Sequence, residues 1–226
     1  LTSVPVTKLS FDPHSILVSS YALAEHDRLA KMSKAPGLTI LTAEQGMGKT
    51  VFLERVFKSI SQSHKACLLS SDRSGLVPLL KELHKQINLE YASLEKTIEV
   101  LNSLQGLTIF IDDIHFLTQS KIGGLSDFDD LTHLIRQTYG HVCWVASINN
   151  ESWQFIKRVR AKNVLFDSVI KLPRWTDSQI GEMVKKVSES LNFNVDANGI
   201  AFPRQFDQPN VNGEYIKEKT YFRILR

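Results

Sequence analysis

The residues Ala43-Glu44-Gln45-Gly46-Met47-Gly48-Lys49-Thr50 carry the most specific chemistry in the chain. Small residues there let successive backbone N–H groups turn inward around an anion. Lys49 adds a point charge for β- and γ-phosphates, and the Thr50 hydroxyl suits magnesium. The apolar run Gly37–Ala43 leads into this loop and a helical period begins at Thr50, so the loop joins a strand to a helix, as a P-loop must. The expected ligand is a nucleoside triphosphate with magnesium, ATP in the first place, or the diphosphate ADP. Ala43, Glu44, Gln45, Gly46, Met47, Gly48, Lys49, Thr50 and Val51 would surround it. Ala43 stands where the motif usually has its first glycine, so its backbone is expected to stay in a region that an alanine tolerates.

A second constellation is LTIFIDDIH, an apolar strand ending in Asp112 and Asp113. A carboxylate at the end of a neighbouring strand is what holds magnesium, usually through water, and Asp112 fits that role beside Thr50. Asp113 is placed to polarise an attacking water. The alternative reading is a helix-capping or salt-bridging aspartate, and the side chain is shorter than the glutamate that many ATPases carry there.

The elements that must position these groups follow from hydropathy. Five apolar runs stand at 37–43, 65–70, 107–112, 141–148 and 168–173, and several are nearly continuous in apolar and β-branched residues, as strands covered on both faces are. Amphipathic segments at 50–63, 77–87 and 128–139 separate them. Such alternation predicts an α/β fold, a five-stranded parallel sheet flanked by helices. Beyond Pro173 the pattern changes to a helix capped by Thr176, then a polar, Gly- and Pro-containing loop and a short basic helix. The expected division is therefore a nucleotide-binding domain over 1–173 and a helical lid, partial in this chain, over 174–226.

Composition sets outer bounds. The chain has 226 residues, 42% hydrophobic and 23% charged, with a formal charge of +3, ordinary for a globular protein and too mild to imply a nucleic-acid partner. No apolar run approaches the roughly 20 residues of a membrane span, and the opening segment lacks the pattern of a signal peptide. Leu1 in place of Met suggests a piece of a longer protein. Cys67 and Cys143 both lie in apolar runs and read as small core hydrophobes, which suits a reducing, cytoplasmic setting. The seven histidines show no zinc-ligand spacing with the cysteines.

GMGKT, FIDDIH and a polar residue ending the next strand together resemble the AAA+ and related STAND group of P-loop ATPases. The likeness extends over about residues 14–191 through the runs 122–135, 144–159 and 166–180, which are similar to bacterial modules set in large, often membrane-associated proteins. The resemblance implies that the strand with the polar sensor lies between the P-loop strand and the strand with the acidic pair. Asn149 is the favoured sensor, ahead of Ser147 and Asn150, to orient the attacking water; it reads as well as part of an Asn-Asn turn. It also implies assembly, as a homo-oligomer or with other domains of the parent protein, with an arginine reaching a neighbour's γ-phosphate. Arg158 and Arg160 lie in the region where such fingers occur and Arg174 is a third option, although KRVRAK reads equally as a solvated basic face. A second sensor arginine is not found, Arg223 and Arg226 falling where the last lid helix would begin. Base and ribose contacts are expected from Phe11 to Tyr21.

The leading expectation is an ATPase module driving conformational change in a larger protein. A nucleotide-dependent switch with little hydrolysis is the alternative, and a DNA-associated ATPase would need a basic module that only KRVRAK suggests. A small-molecule phosphotransferase lacks a second substrate pocket. If the parent is membrane-associated, this segment is its cytoplasmic part.

Overall fold

The computed structural model describes residues 21–72, 74–118, 125–159 and 168–191, the last five without their side chains. Helix α1 (Leu23–Met32) precedes strand β1 (Gly37–Ala43), and the P-loop leads to helix α2 (Lys49–Ile60). Strand β2 (Lys65–Ser70), helices α3 (Leu76–Gln86) and α4 (Leu94–Ser103) and strand β3 (Leu107–Asp112) follow. A short 3₁₀ turn (Ile114–Thr118), helix α5 (Ser126–Thr138), strand β4 (Val142–Asn149), helix α6 (Asn150–Val159), strand β5 (Ser168–Lys171) and helix α7 (Asp177–Leu191) complete the order.

The five strands form one parallel sheet in the order β2-β3-β4-β1-β5. The strand with the candidate sensor thus sits between the P-loop strand and the strand with the acidic pair, as the resemblance implied. Every residue of β3 is buried and all but the last of β4, which is why these strands read as apolar runs without alternation. One face of the sheet, with Ile109, Ile111, Trp144 and Ile148, joins the core that Leu80, Leu83, Leu101, Leu131 and Ile156 supply from α3 to α6. The other face meets α2: the Phe110 ring lies edge-on to Phe57 with centroids 6.0 Å apart. Because side chains alternate along a strand, Asp112 shares the Phe110 face and hence the side of the helix that follows the P-loop.

Several elements differ from their sequence-based limits. The fifth strand was expected to reach Pro173 but ends at Lys171. One further bond, from the Leu172 N–H to the Thr42 carbonyl at 2.9 Å, extends the ladder, and Pro173 has no N–H to continue it. Helices α1, α4 and α6 were not expected. Helix α4 is fixed by its Ser93 cap, whose side chain accepts from the Lys96 N–H. The cap expected at Thr176 is present as a reciprocal box: Thr176 Oγ1 accepts from the Gln179 N–H at 3.2 Å, and Gln179 Oε1 accepts from the Thr176 N–H at 3.0 Å.

By their internal contacts the residues form two compact units. One runs from Ala22 to Arg174 and holds the sheet. Among its described residues the other holds Tyr21, stacked on Trp175 with ring centroids 3.9 Å apart and planes 5° from parallel, and α7. No helix among the described residues is long and apolar enough to cross a membrane.

Candidate nucleotide site

Strand β1 delivers the loop. Ala43, its last residue, is almost fully buried and lies opposite Asn149 of β4 in register. The left-handed backbone that the loop needs falls on Gly46 (φ 86°) and Gly48 (φ 78°), and Ala43 is not among the positive-φ residues. The alanine therefore stands where a side chain is allowed, and the glycines stand where it is not. A turn closed by the Met47 N–H on the Glu44 carbonyl at 3.3 Å leads to Gly48, whose carbonyl starts the α2 ladder by accepting from Phe52 N at 2.9 Å. No side chain caps this end of α2. Its first N–H groups, on Lys49, Thr50 and Val51, consequently lack intrahelical acceptors and face outward as donors, with the positive end of the helix dipole behind them.

Lys49 is only 8% exposed, and among the described residues no hydrogen bond or ion pair engages its ammonium. The stem of the side chain is packed while its charge stays reachable. A lysine held this way beside uncapped amides suits an anion. Thr50, next along, is exposed.

The acidic pair is held by two serines. Asp112 is 6% exposed at the end of β3. The Ser147 hydroxyl donates to Asp112 Oδ1 and accepts from the Asp113 N–H at 2.8 Å. Ser71, just beyond β2, gives its N–H to the Asp112 carbonyl at 3.0 Å. Its hydroxyl lies 2.8 Å from that carbonyl and 2.6 Å from the Asp113 carbonyl. Asp113 adopts a left-handed backbone (φ 54°), uncommon outside glycine though best tolerated by Asp and Asn. Its carboxylate lies 3.6 Å from His115 Nδ1.

Asn149 caps α6: its Oδ1 accepts from the Ser152 N–H at 2.7 Å. Since a backbone N–H can bond only the oxygen, the amide orientation is fixed and the NH₂ group is its remaining donor. Asn150 is the first residue of α6. Arg158 is exposed in the last turn of α6, whereas Arg160, Arg223, Arg226 and the segment from Phe11 to residue 20 lie outside the described residues. Arg174, considered as a finger for a neighbouring subunit, donates from Nε and Nη2 to Glu44 Oε1 of its own P-loop at 3.0 and 2.8 Å. A shallow cleft of about 240 Å³ lies there, between Glu44, Met47, Asn150, Lys171 and Arg174. It is smaller than a typical ligand pocket.

The chain's own ends of β1, β3 and β4 thus bring Ala43, Asn149, Ser147 and Asp112 to the carboxyl edge of adjacent strands, where open parallel sheets bind ligands. The donors fit a hard cation: one hydroxyl, Thr50, and one carboxylate, Asp112, with no gathering of three or more His, Cys, Asp or Glu side chains among the described residues. Magnesium takes such a set, completing its shell with phosphate oxygens and water. Sequence reasoning missed Ser71 and the double role of Ser147. Both depend on which strands are neighbours, and a serine ending an apolar strand carries no signal of that.

No protein-family model matches the sequence, and no curated protein matches it as a relative. Solved structures do resemble the fold. The ORC2 protein of Aeropyrum pernix, solved as ADPNP-ADP complexes, is 11% identical with a TM-score of 0.57, over 78% of this chain and 55% of that one. The ORC1 protein of Aeropyrum pernix, in complex with DNA, is 20% identical with a TM-score of 0.57, over 78% and 53%. Domain III of the replication initiation protein DnaA from Thermotoga maritima is 16% identical with a TM-score of 0.54, over 80% and 74%. The chain spans about half the length of the two ORC proteins. With its strand order, its glycine loop and these neighbours, the chain has the fold of the AAA+ P-loop ATPases.

Proposed function

We propose that this chain binds ATP with magnesium and hydrolyses it, as an AAA+-like module that drives conformational change in a larger protein. The observation that carries the reading is Lys49: a side chain only 8% exposed, whose ammonium has no partner among the described residues, at the uncapped start of α2. In this reading Ala43 to Val51 surround the phosphates, Lys49 meets the β- and γ-phosphate charge, and Thr50 and Asp112 hold the cation. Magnesium, when bound, neutralises charge on the phosphate oxygens. Asp113 accepts the proton of the attacking water, and the Asn149 NH₂ orients that water. The domain division at Pro173, with the helical part acting as a lid, belongs to the same proposal.

A second reading, a nucleotide-dependent switch that hydrolyses slowly, is favoured by one observation. The Asn149 amide oxygen is committed to capping α6, so only half of its hydrogen-bonding capacity is left for a water. A DNA-associated role has support only from the DNA-bound neighbour at 20% identity.

Calorimetry with ATP and magnesium tests the site. Lys49→Ala is expected to abolish measurable binding while circular dichroism and the melting transition stay those of a folded protein. Charged hydrogen bonds in a water-poor site contribute several kcal/mol in total. Affinity near that of the parent would remove the phosphate role of this loop. Turnover of labelled ATP then separates the ATPase from the switch.

A further inference from the structure

We infer that Ser147 is a positioning residue for the acidic pair, aligning the Asp112 carboxylate and holding the left-handed turn at Asp113 through one hydroxyl. The inference rests on the proposed nucleotide site and assigns it a residue distinct from the sensor. Ser147 is fully buried in β4, next to β3. A serine hydroxyl has a single proton and two lone pairs. Here the proton goes to Asp112 Oδ1, and a lone pair takes the Asp113 N–H at 2.8 Å. With one lone pair taken by the Asp113 N–H, the proton is left to point at Asp112 Oδ1. No water replaces these bonds at a site without exposure.

The consequence concerns geometry. Successive side chains of an extended strand point to opposite faces, so an extended Asp113 would face away from Asp112. The left-handed backbone at Asp113 (φ 54°) breaks that alternation, which is what two carboxylates acting on one nucleotide require. Such a conformation persists only when its surroundings hold it. Ser147 holds it at the N–H, while Ser71 holds the carbonyls of both aspartates. Among the described residues Ser147 alone is hydrogen-bonded to both the Asp112 carboxylate and the N–H of the turn.

The experiment compares Ser147→Ala, Ser147→Cys and Ser147→Thr on the full chain. Cys is close to Ser in shape but a weak donor and acceptor, and Thr keeps the hydroxyl. Nucleotide binding is measured by calorimetry in chelator and across a magnesium titration, with kcat and KM for ATP at saturating magnesium. The Ala and Cys variants are expected to bind ATP in chelator like the parent. They should require about 10- to 100-fold more magnesium for the same gain in affinity, the usual cost of losing a partner behind a metal ligand. Their kcat should fall by a similar factor with KM little changed, and Thr should restore most of both. A folded Ala or Cys variant that titrates magnesium like the parent overturns the proposal. So does equal loss of binding with and without magnesium, which would mean a packing role. If the parent binds no ATP, or Lys49→Ala binds as well as the parent, the nucleotide site itself has failed and the proposal goes with it.

Discussion

At the scale of single residues, the two aspartates should have separable effects because their surroundings differ. Asp112 is buried with its carboxylate bonded to Ser147. Asp113 is partly exposed beside His115, with its backbone pinned on both sides. Asp112→Ala is expected to weaken nucleotide binding in magnesium by at least about tenfold, and to change it little in chelator. Asp113→Asn keeps the shape and the backbone bonds but cannot accept a proton. It should leave binding intact and lower turnover by about 10²-fold or more, within the usual contribution of a general base. Calorimetry and steady-state kinetics on the same preparations decide both. Parent-like hydrolysis in both variants would make the pair structural and leave the switch reading. The cysteines play no part in this chemistry: both are buried and free, and burial pushes the Cys67 thiol up to about 11.

At the scale of elements, α4 depends on a buried polar cluster that no apolar period announces. His84 of α3 is almost fully buried. Its Nδ1 donates to the Glu90 carbonyl at 3.0 Å, and its Nε2 is bonded to Thr97 Oγ1 at 2.9 Å. The Thr97 hydroxyl also lies 2.8 Å from the Ser93 carbonyl, and its single proton serves that carbonyl or His84 Nε2 at a time; the α4 cap, α4 and α3 meet at this point. Thr97→Val preserves the shape and removes the hydroxyl, leaving His84 Nε2 without its partner. The expected loss is about 1–3 kcal/mol, read as a lower urea midpoint with unchanged slope, while ATP affinity stays near that of the parent. An unshifted midpoint would show that the cluster contributes nothing net. Of the other unexpected helices, α1 has no side-chain cap, whereas α6 has one. Helix α6 begins at a strand end whose Asn-Asn pair reads locally as a turn, and the Asn149 cap turns it into a helix start.

At the scale of the whole molecule, the proposed hydrolysis needs charge neutralised at the γ-phosphate. Arg174 is engaged with Glu44 of its own loop, which leaves Arg158, exposed on α6, and Arg160 as the candidates for a neighbouring subunit. In P-loop enzymes an arginine supplied in trans raises turnover by about 10³ to 10⁵. If one of these two plays that part, turnover per subunit should climb steeply with protein concentration. Arg160→Ala subunits mixed with Lys49→Ala subunits should also regain activity, because each supplies what the other lacks. Constant turnover per subunit and no recovery on mixing would remove the trans mechanism and leave a self-contained slow ATPase or switch.

Much of this was determined by the sequence alone. Gly46 and Gly48 mark the positions where the loop turns left-handed, Lys49 and Thr50 follow from the motif, and apolar runs with little alternation, as at β3 and β4, point to strands covered on both faces. These signals are local, or depend on burial averaged along a segment, so neighbours in the chain suffice to read them. The tertiary structure decided whatever depends on neighbours in space. The crossover order that sets β4 between β3 and β1 brings Ser147 against Asp112 and the Asp113 N–H, sets Asn149 opposite Ala43, and carries Ser71 to the two carbonyls. A serine or an asparagine at the end of an apolar strand has the same sequence signature whether it holds an acidic pair or simply ends the strand. Only the identity of the adjacent strand separates the two, and strand pairing joins residues tens of positions apart.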